Sequence, residues 1–130
     1  MTLTTADLID IRQLLAAYGL VVDDHLWDRV DEVFAEDFVF DRSAFGVPDL
    51  HGAADVIATF QGRNMYAHHT TDVVITEDVD GTVSVHSKWI GFPNEGPPRS
   101  GDYLDVVVRT DAGWRLRRRS AVVRERKFFD

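Results

Sequence analysis

Apolar positions near the start of the chain recur at the three- and four-residue steps of a helix. Leu8, Ile11, Leu15, Tyr18 and Val22 make one stripe, predicting a helix from about Thr5 to Asp24. Thr4 followed by Asp7 resembles a capping box, with Asp in place of the usual Glu. A shorter helix is expected from Trp27 to Ala35, turning Val30, Val33 and Phe34 inward, and a short strand at Phe38-Val39-Phe40. Gly46, Pro48 and Gly52 mark a loop, and a third helix covers Ala53 to Phe60. The period then changes to that of strands over Thr70 to Thr76, Val83 to Phe92, Tyr103 to Thr110 and Trp114 to Val123. Asp80-Gly81 and Asp111-Ala112-Gly113 are hairpin turn signals. The Pro- and Gly-rich stretch from Pro93 to Gly101 is expected to be a mobile loop between two long strands, bordering the mouth of any pocket. Three N-terminal helices followed by a meander predict an α+β fold, a curved and mainly antiparallel sheet wrapped over the helices.

Composition narrows the possibilities. At 130 residues, 45% hydrophobic and 28% charged, the chain is expected to fold as one domain over residues 1–130. A net charge of −8 argues against a nucleic-acid partner. Zero cysteines exclude disulfides, thiolate nucleophiles and zinc-thiolate sites. The opening residues carry neither a basic n-region nor an apolar h-region, and no apolar run approaches the roughly 18 residues of a membrane span. A cytoplasmic protein with no membrane partner is therefore expected.

The run LLAAYGLVVDDHLWDRVDEVFAEDFVF resembles the opening of the SnoaL-like branch of the nuclear-transport-factor-2-like (NTF2-like) superfamily. There a Tyr, an Asp five residues on, a Trp four further and an "lFaeD" segment recur. HHTTDVVI with its Asp-Gly turn, then SGDYLDVVVRTDAGWRLRRR, resembles the later strands. The resemblance implies a cone-shaped α+β barrel with an apolar pocket, commonly a homodimer through the sheet. Val83, Val85 or Val106 exposed on the outer sheet face would support that dimer. The fold hosts dehydratases, isomerases, cyclases, epoxide hydrolases and non-catalytic subunits, so function must come from the site.

Asp23 and Asp24 end the first helix, where the macrodipole disfavours carboxylates. Asp24 suits an N-cap for the second helix. Asp23 beside the apolar stripe suits proton transfer, and the resemblance marks the same residue as the catalytic Asp of the family's dehydratases. His68 and His69 adjoin on a strand and so face opposite sides, with at most one in the pocket. Matching Asp72 to the Asn of the family's H-x-x-x-N strand selects His68; a one-residue bulge would select His69, and Val73 and Ile75 on that face keep it open. Tyr18 is either a core phenol or, as the family's ketosteroid isomerases imply, a group polarising a substrate carbonyl. Asp41, near those isomerases' general base, reads better as a surface residue ending a strand. Asp105 and Arg119 on neighbouring strands form either a buried bridge or a hold on a polar substrate group. Phe40, Tyr66, Trp89, Phe92 and Tyr103 suit an apolar lining and equally suit the core.

The epoxide-hydrolase pattern of Arg-x-Asp on a middle strand is missing at His86-Ser87-Lys88-Trp89, and the cyclases' late acidic residue falls in an arginine run. A second strand histidine of scytalone-type dehydratases is also missing between Trp89 and Phe92. No metal site and no cofactor are expected. What remains is a cofactor-independent acid/base enzyme for a small, largely apolar carbonyl or hydroxy compound, polyketide- or steroid-like by the resemblance. A dehydratase (a lyase) using an Asp-His pair leads; an isomerase or cyclase working by proton transfer, or a non-catalytic ligand-binding or assembly module, are the alternatives.

Overall fold

The computed structural model describes residues 2–62 and 65–124. Helix α1 runs Thr5–Asp23 and is capped as its sequence predicts. The Thr4 hydroxyl accepts from the Asp7 N–H at 3.1 Å, and the Asp7 carboxylate accepts from the Thr4 N–H at 2.8 Å. Its buried stripe is Ile11, Leu14, Leu15, Tyr18, Val21 and Val22, with Asp7 at the end where Leu8 was expected. Leu8 is 37% exposed, because Asp7 turns inward to meet Arg109 and the Trp114 indole N–H. The Thr4 backbone N–H above all, with the Trp114 and Arg109 donors, holds the Asp7 carboxyl down at about 2. Each fully buried aliphatic of the stripe contributes about 1.5–3 kcal/mol against an exposed reference, which is what fixes α1 on the sheet.

Six strands follow: β1 (Phe34–Asp41), β2 (Leu50–His51), β3 (Met65–Glu77), β4 (Val83–Pro93), β5 (Arg99–Thr110) and β6 (Gly113–Val123). Helix α2 (Gly52–Phe60) links β2 to β3. The spatial order is β2-β1-β6-β5-β4-β3, antiparallel throughout except for the parallel β1–β6 pair. The curved, mixed sheet holds α1 against β3 and β6, and α2 against β1. No described helix is long and apolar enough to cross a membrane.

Three expectations need correction. The segment expected as a helix from Trp27 to Ala35 is a 3-10 turn over Trp27–Glu32, and the chain has entered β1 by Phe34. A buried run such as Val33-Phe34-Ala35 fits helix or strand equally, and pairing of Phe34 with Leu116 decides it. Two α-helices and two short 3-10 turns, the second at Ser43–Phe45, thus stand where three helices were expected. Asp24 does not cap that turn; Leu26 occupies the cap position, and Asp24 ends α1 with its N–H on the Leu20 carbonyl. Next, the expected loop from Pro93 to Gly101 is shorter: β4 continues to Pro93 and β5 resumes at Arg99. A terminal strand residue needs no ladder donor there, so proline is tolerated. Finally, Val83 and Val85 are 3% and 1% exposed in the core, not on the outer face, and Val106 is half-buried. That outer face exposes Leu104 and Val122 instead.

Strand β3 carries a bulge, and against the expectation that a bulge would select His69, it is the bulge that turns His68 inward. Thr71 pairs with Lys88 and Val74 with His86, so Asp72 and Val73 together oppose Ser87. Asp72 takes φ 55°, a left-handed conformation that Asp tolerates better than most residues. The bulge shifts the alternation, so that His68 and Thr70 lie on the same face as Val73 and Ile75.

Candidate functional site

Tyr18, Phe40, Trp89, Tyr103 and Ala121 form the buried floor of a cavity of about 290 Å³ between α1 and the sheet. Phe60 and Met65 close its side. Phe45 and Val47, 36% and 38% exposed, stand with Arg42 and Arg99 at its mouth. The aromatic wall is continuous: ring centroids step 6.2 Å from Tyr18 to Tyr103, 6.1 Å on to Trp89 and 6.3 Å on to Phe45. Edge and tilted contacts of this kind fix ring positions as well as bury area.

His68 lines this cavity and also the groove on the other side, between α1 and β3. Asp23 lies in that groove and grips His68 at two points. The His68 backbone N–H donates to Oδ2 at 2.7 Å, and the ring Nδ1 lies 2.5 Å from Oδ1. Nδ1–H therefore donates to the carboxylate, and Nε2 is the ring nitrogen that Asp23 leaves unengaged. Helix α1 ends at Asp23 so that its last side chain reaches β3, a gain that offsets the unfavourable macrodipole. The pair keeps only 13% and 11% of its side-chain surface exposed. Sequence reasoning gave the proton-moving role to Asp23; the geometry puts the imidazole on the cavity side and the carboxylate behind it.

Arg119 and Asp105 lie under the floor with no exposed side-chain surface. They share a fork of two 2.8 Å hydrogen bonds. The guanidinium carbon sits 4.2 Å from the Tyr18 ring centroid and 3.7 Å from that of Tyr103. Burial works against the charge on Arg119, but the Asp105 carboxylate more than restores it and holds its pKa above the usual arginine value. Burial pushes both the Tyr18 and Tyr103 phenols up, with Arg119 opposing in part, so both keep their protons at neutral pH. Neither Arg119 nor Asp105 lines the cavity, so of the two expected roles the geometry is that of a buried bridge, not a direct hold on a ligand.

Of the other sequence-predicted residues, Phe40, Trp89, Tyr103 and Tyr18 line the cavity and three do not. Tyr66 is 75% exposed and faces the outer groove. Phe92 is 36% exposed and sets its ring edge-on to His69 at 5.6 Å. His69 itself is exposed and lies in the groove. Tyr66 sits at a register shift between Met65 and Ala67, which displaces its face. Asp41 is tied to Ser43, Arg118 and Ser120 at a strand end, as a surface residue would be. The mouth residues Arg42, Phe45 and Arg99 went unpredicted: they lie at loop and strand ends that no linear period connects. Among the described residues no group of three His, Cys, Asp or Glu could hold a metal ion.

No curated protein matches the chain significantly. Solved structures do. A provisionally named aromatic ring hydroxylase from Novosphingobium aromaticivorans is 29% identical with TM-score 0.79, covering 95% of this chain and 93% of that one. ActVI-ORFA from Streptomyces coelicolor, 20% identical over 92% and 98% of the two chains, has TM-score 0.73. A provisionally named scytalone dehydratase from N. aromaticivorans, 21% identical over 92% and 85%, also has TM-score 0.73. The last two show the fold alone. The SnoaL-like domain family matches residues 4–120, nearly the whole chain from the cap of α1 to the end of the arginine run in β6, and the protein belongs to that family.

Proposed function

We propose that this protein is a cofactor-independent acid/base enzyme, a dehydratase acting on a small, largely apolar hydroxy-carbonyl compound. The two-point hold of Asp23 on His68 supports this reading, because it occupies Nδ1 of a residue that lines an aromatic cavity and leaves Nε2 without that partner. In the proposed step His68 Nε2 removes a proton α to the substrate carbonyl while Tyr18 donates a hydrogen bond to the developing enolate oxygen. The enolate then expels the β-hydroxyl, which takes the proton from the imidazolium and leaves as water, forming the C=C bond. Asp23 holds the imidazole tautomer and stabilises the charge it gains. The buried phenol of Tyr18 supports its part, since it stays protonated and able to donate.

The test is to incubate aryl β-hydroxyketones in D₂O and follow enone absorbance and α-deuteration together. Wild-type protein should form enone, and His68→Ala and Asp23→Asn should each lose about 10²–10⁴-fold in rate. The double variant should be little worse than either single one. Exchange at the α-carbon without enone would replace the dehydratase by an isomerase using the same proton transfer. Neither exchange nor enone across the panel would leave a binding module.

A further inference from the structure

Arginine in this acidic chain is usually paired. Arg29, Arg109, Arg117, Arg118, Arg119 and Arg124 each hold a carboxylate. Arg99 departs from that pattern. Among the described residues no carboxylate pairs with it, and its guanidinium lies over the Phe45 ring at 5.7 Å, at the cavity mouth. Arg42 stands at the same mouth, its Nε donating to the Pro48 carbonyl at 3.0 Å, which ties the side chain to the loop that carries Phe45 and Val47. Among the described residues the cavity lining contains these two cations and His68 but no Asp or Glu, although the chain as a whole carries 22 acidic residues against 14 basic ones. The Asp49 carboxylate accepts from the Arg42 backbone N–H at 3.2 Å. Arg99 thus brings a guanidinium without a carboxylate partner among the described residues to the mouth, and the interior behind it is aromatic.

The geometry points to a substrate class: an aromatic or alicyclic carboxylic acid, bound with its ring against Phe45 and Trp89 and its carboxylate at the mouth on Arg99 and Arg42. A guanidinium matches a carboxylate in two-point geometry, and Arg99 is exposed at the mouth with one face over the Phe45 ring. An apolar body between the mouth and the floor would place the opposite end of such a molecule near Tyr18 and His68. The inference rests on the proposed reaction only for what happens at that far end; recognition of the anion stands on the mouth alone.

The experiment compares 2-naphthoate with its neutral isostere 2-naphthamide, read by calorimetry and by quenching of tryptophan fluorescence. Wild-type protein should bind the naphthoate about tenfold more tightly, the worth of one charge-assisted hydrogen bond, with the preference shrinking as salt is raised. Arg99→Gln should abolish the preference, and Arg42→Gln should reduce it, both with unchanged circular dichroism. Asp23→Asn should keep it, so an inactive His68–Asp23 pair and a failed anion site give different results. Equal binding of the two probes, an undiminished preference in Arg99→Gln, or no saturable naphthoate binding at millimolar concentration would each overturn the inference.

Discussion

The Asp105–Arg119 pair has no exposed side-chain surface, while Asp23 and His68 keep 13% and 11% of theirs. Both pairs touch the same cavity, one through the rings of Tyr18 and Tyr103 and the other through the imidazole itself. Arg119 holds a charge that no accessible pH removes, in a fully buried fork on Asp105. His68 is held by Asp23 at its backbone N–H and at Nδ1, and the residue lines the cavity directly. Burial separates the two pairs: the first lies sealed under the floor, and the second stands in the wall.

Three measurements press on that contrast. The largest effect should come from Arg119→Met, which strands the Asp105 carboxylate in the core. Urea denaturation should show a loss of about 3–5 kcal/mol, with much of it recovered in the Arg119→Met/Asp105→Leu double variant. A single-variant cost below about 1 kcal/mol would mean that the pair is not a structural fixture. Asp23→Asn should cost far less, about 0.5–1.5 kcal/mol by the same assay, because Asn still accepts the His68 backbone N–H. Equal costs for the two pairs would erase the distinction between them.

The smallest and most local effect concerns a third paired carboxylate, Asp7, whose partner Arg109 is half-exposed. Its folded value of about 2 lies below the ordinary 3.8, so its stabilisation is complete above pH 3.8 and fades as pH falls toward 2. Acid titration of Asp7→Asn should therefore lack part of the wild-type stability loss between those two values. A wild-type and variant that lose stability in parallel there would assign the acid sensitivity elsewhere.

What sequence reading captured was whatever a local period or a local charge anomaly could express. The α1 stripe, the four long strands and the odd carboxylate at the end of α1 all belong to that kind. What it misread depended on three dimensions. Phe34 joins a strand because Leu116 is there to pair with it, and Val83 and Val85 face inward because they share the buried face of β4 with Trp89. Tyr66 falls away from the cavity through a register shift that no count along the chain reveals, whereas Phe92, an odd number of residues from Trp89, faces outward by plain alternation. Arg99 and Phe45, more than fifty residues apart, meet only because β5 begins beside the loop after β1.

The left-handed φ at Asp72 has a consequence for how this strand is read. Counted back from Ile75 and Val73 by strict alternation, the inward positions would be 71 and 69; counted through the bulge they are 70 and 68. One backbone angle at an exposed residue thus acts as a frameshift without an insertion or a deletion. Which imidazole lines the cavity is set four residues downstream of it, at an exposed backbone position. A chain with the same inward valine and isoleucine but a regular strand would need its histidine one place later to occupy the same point in space.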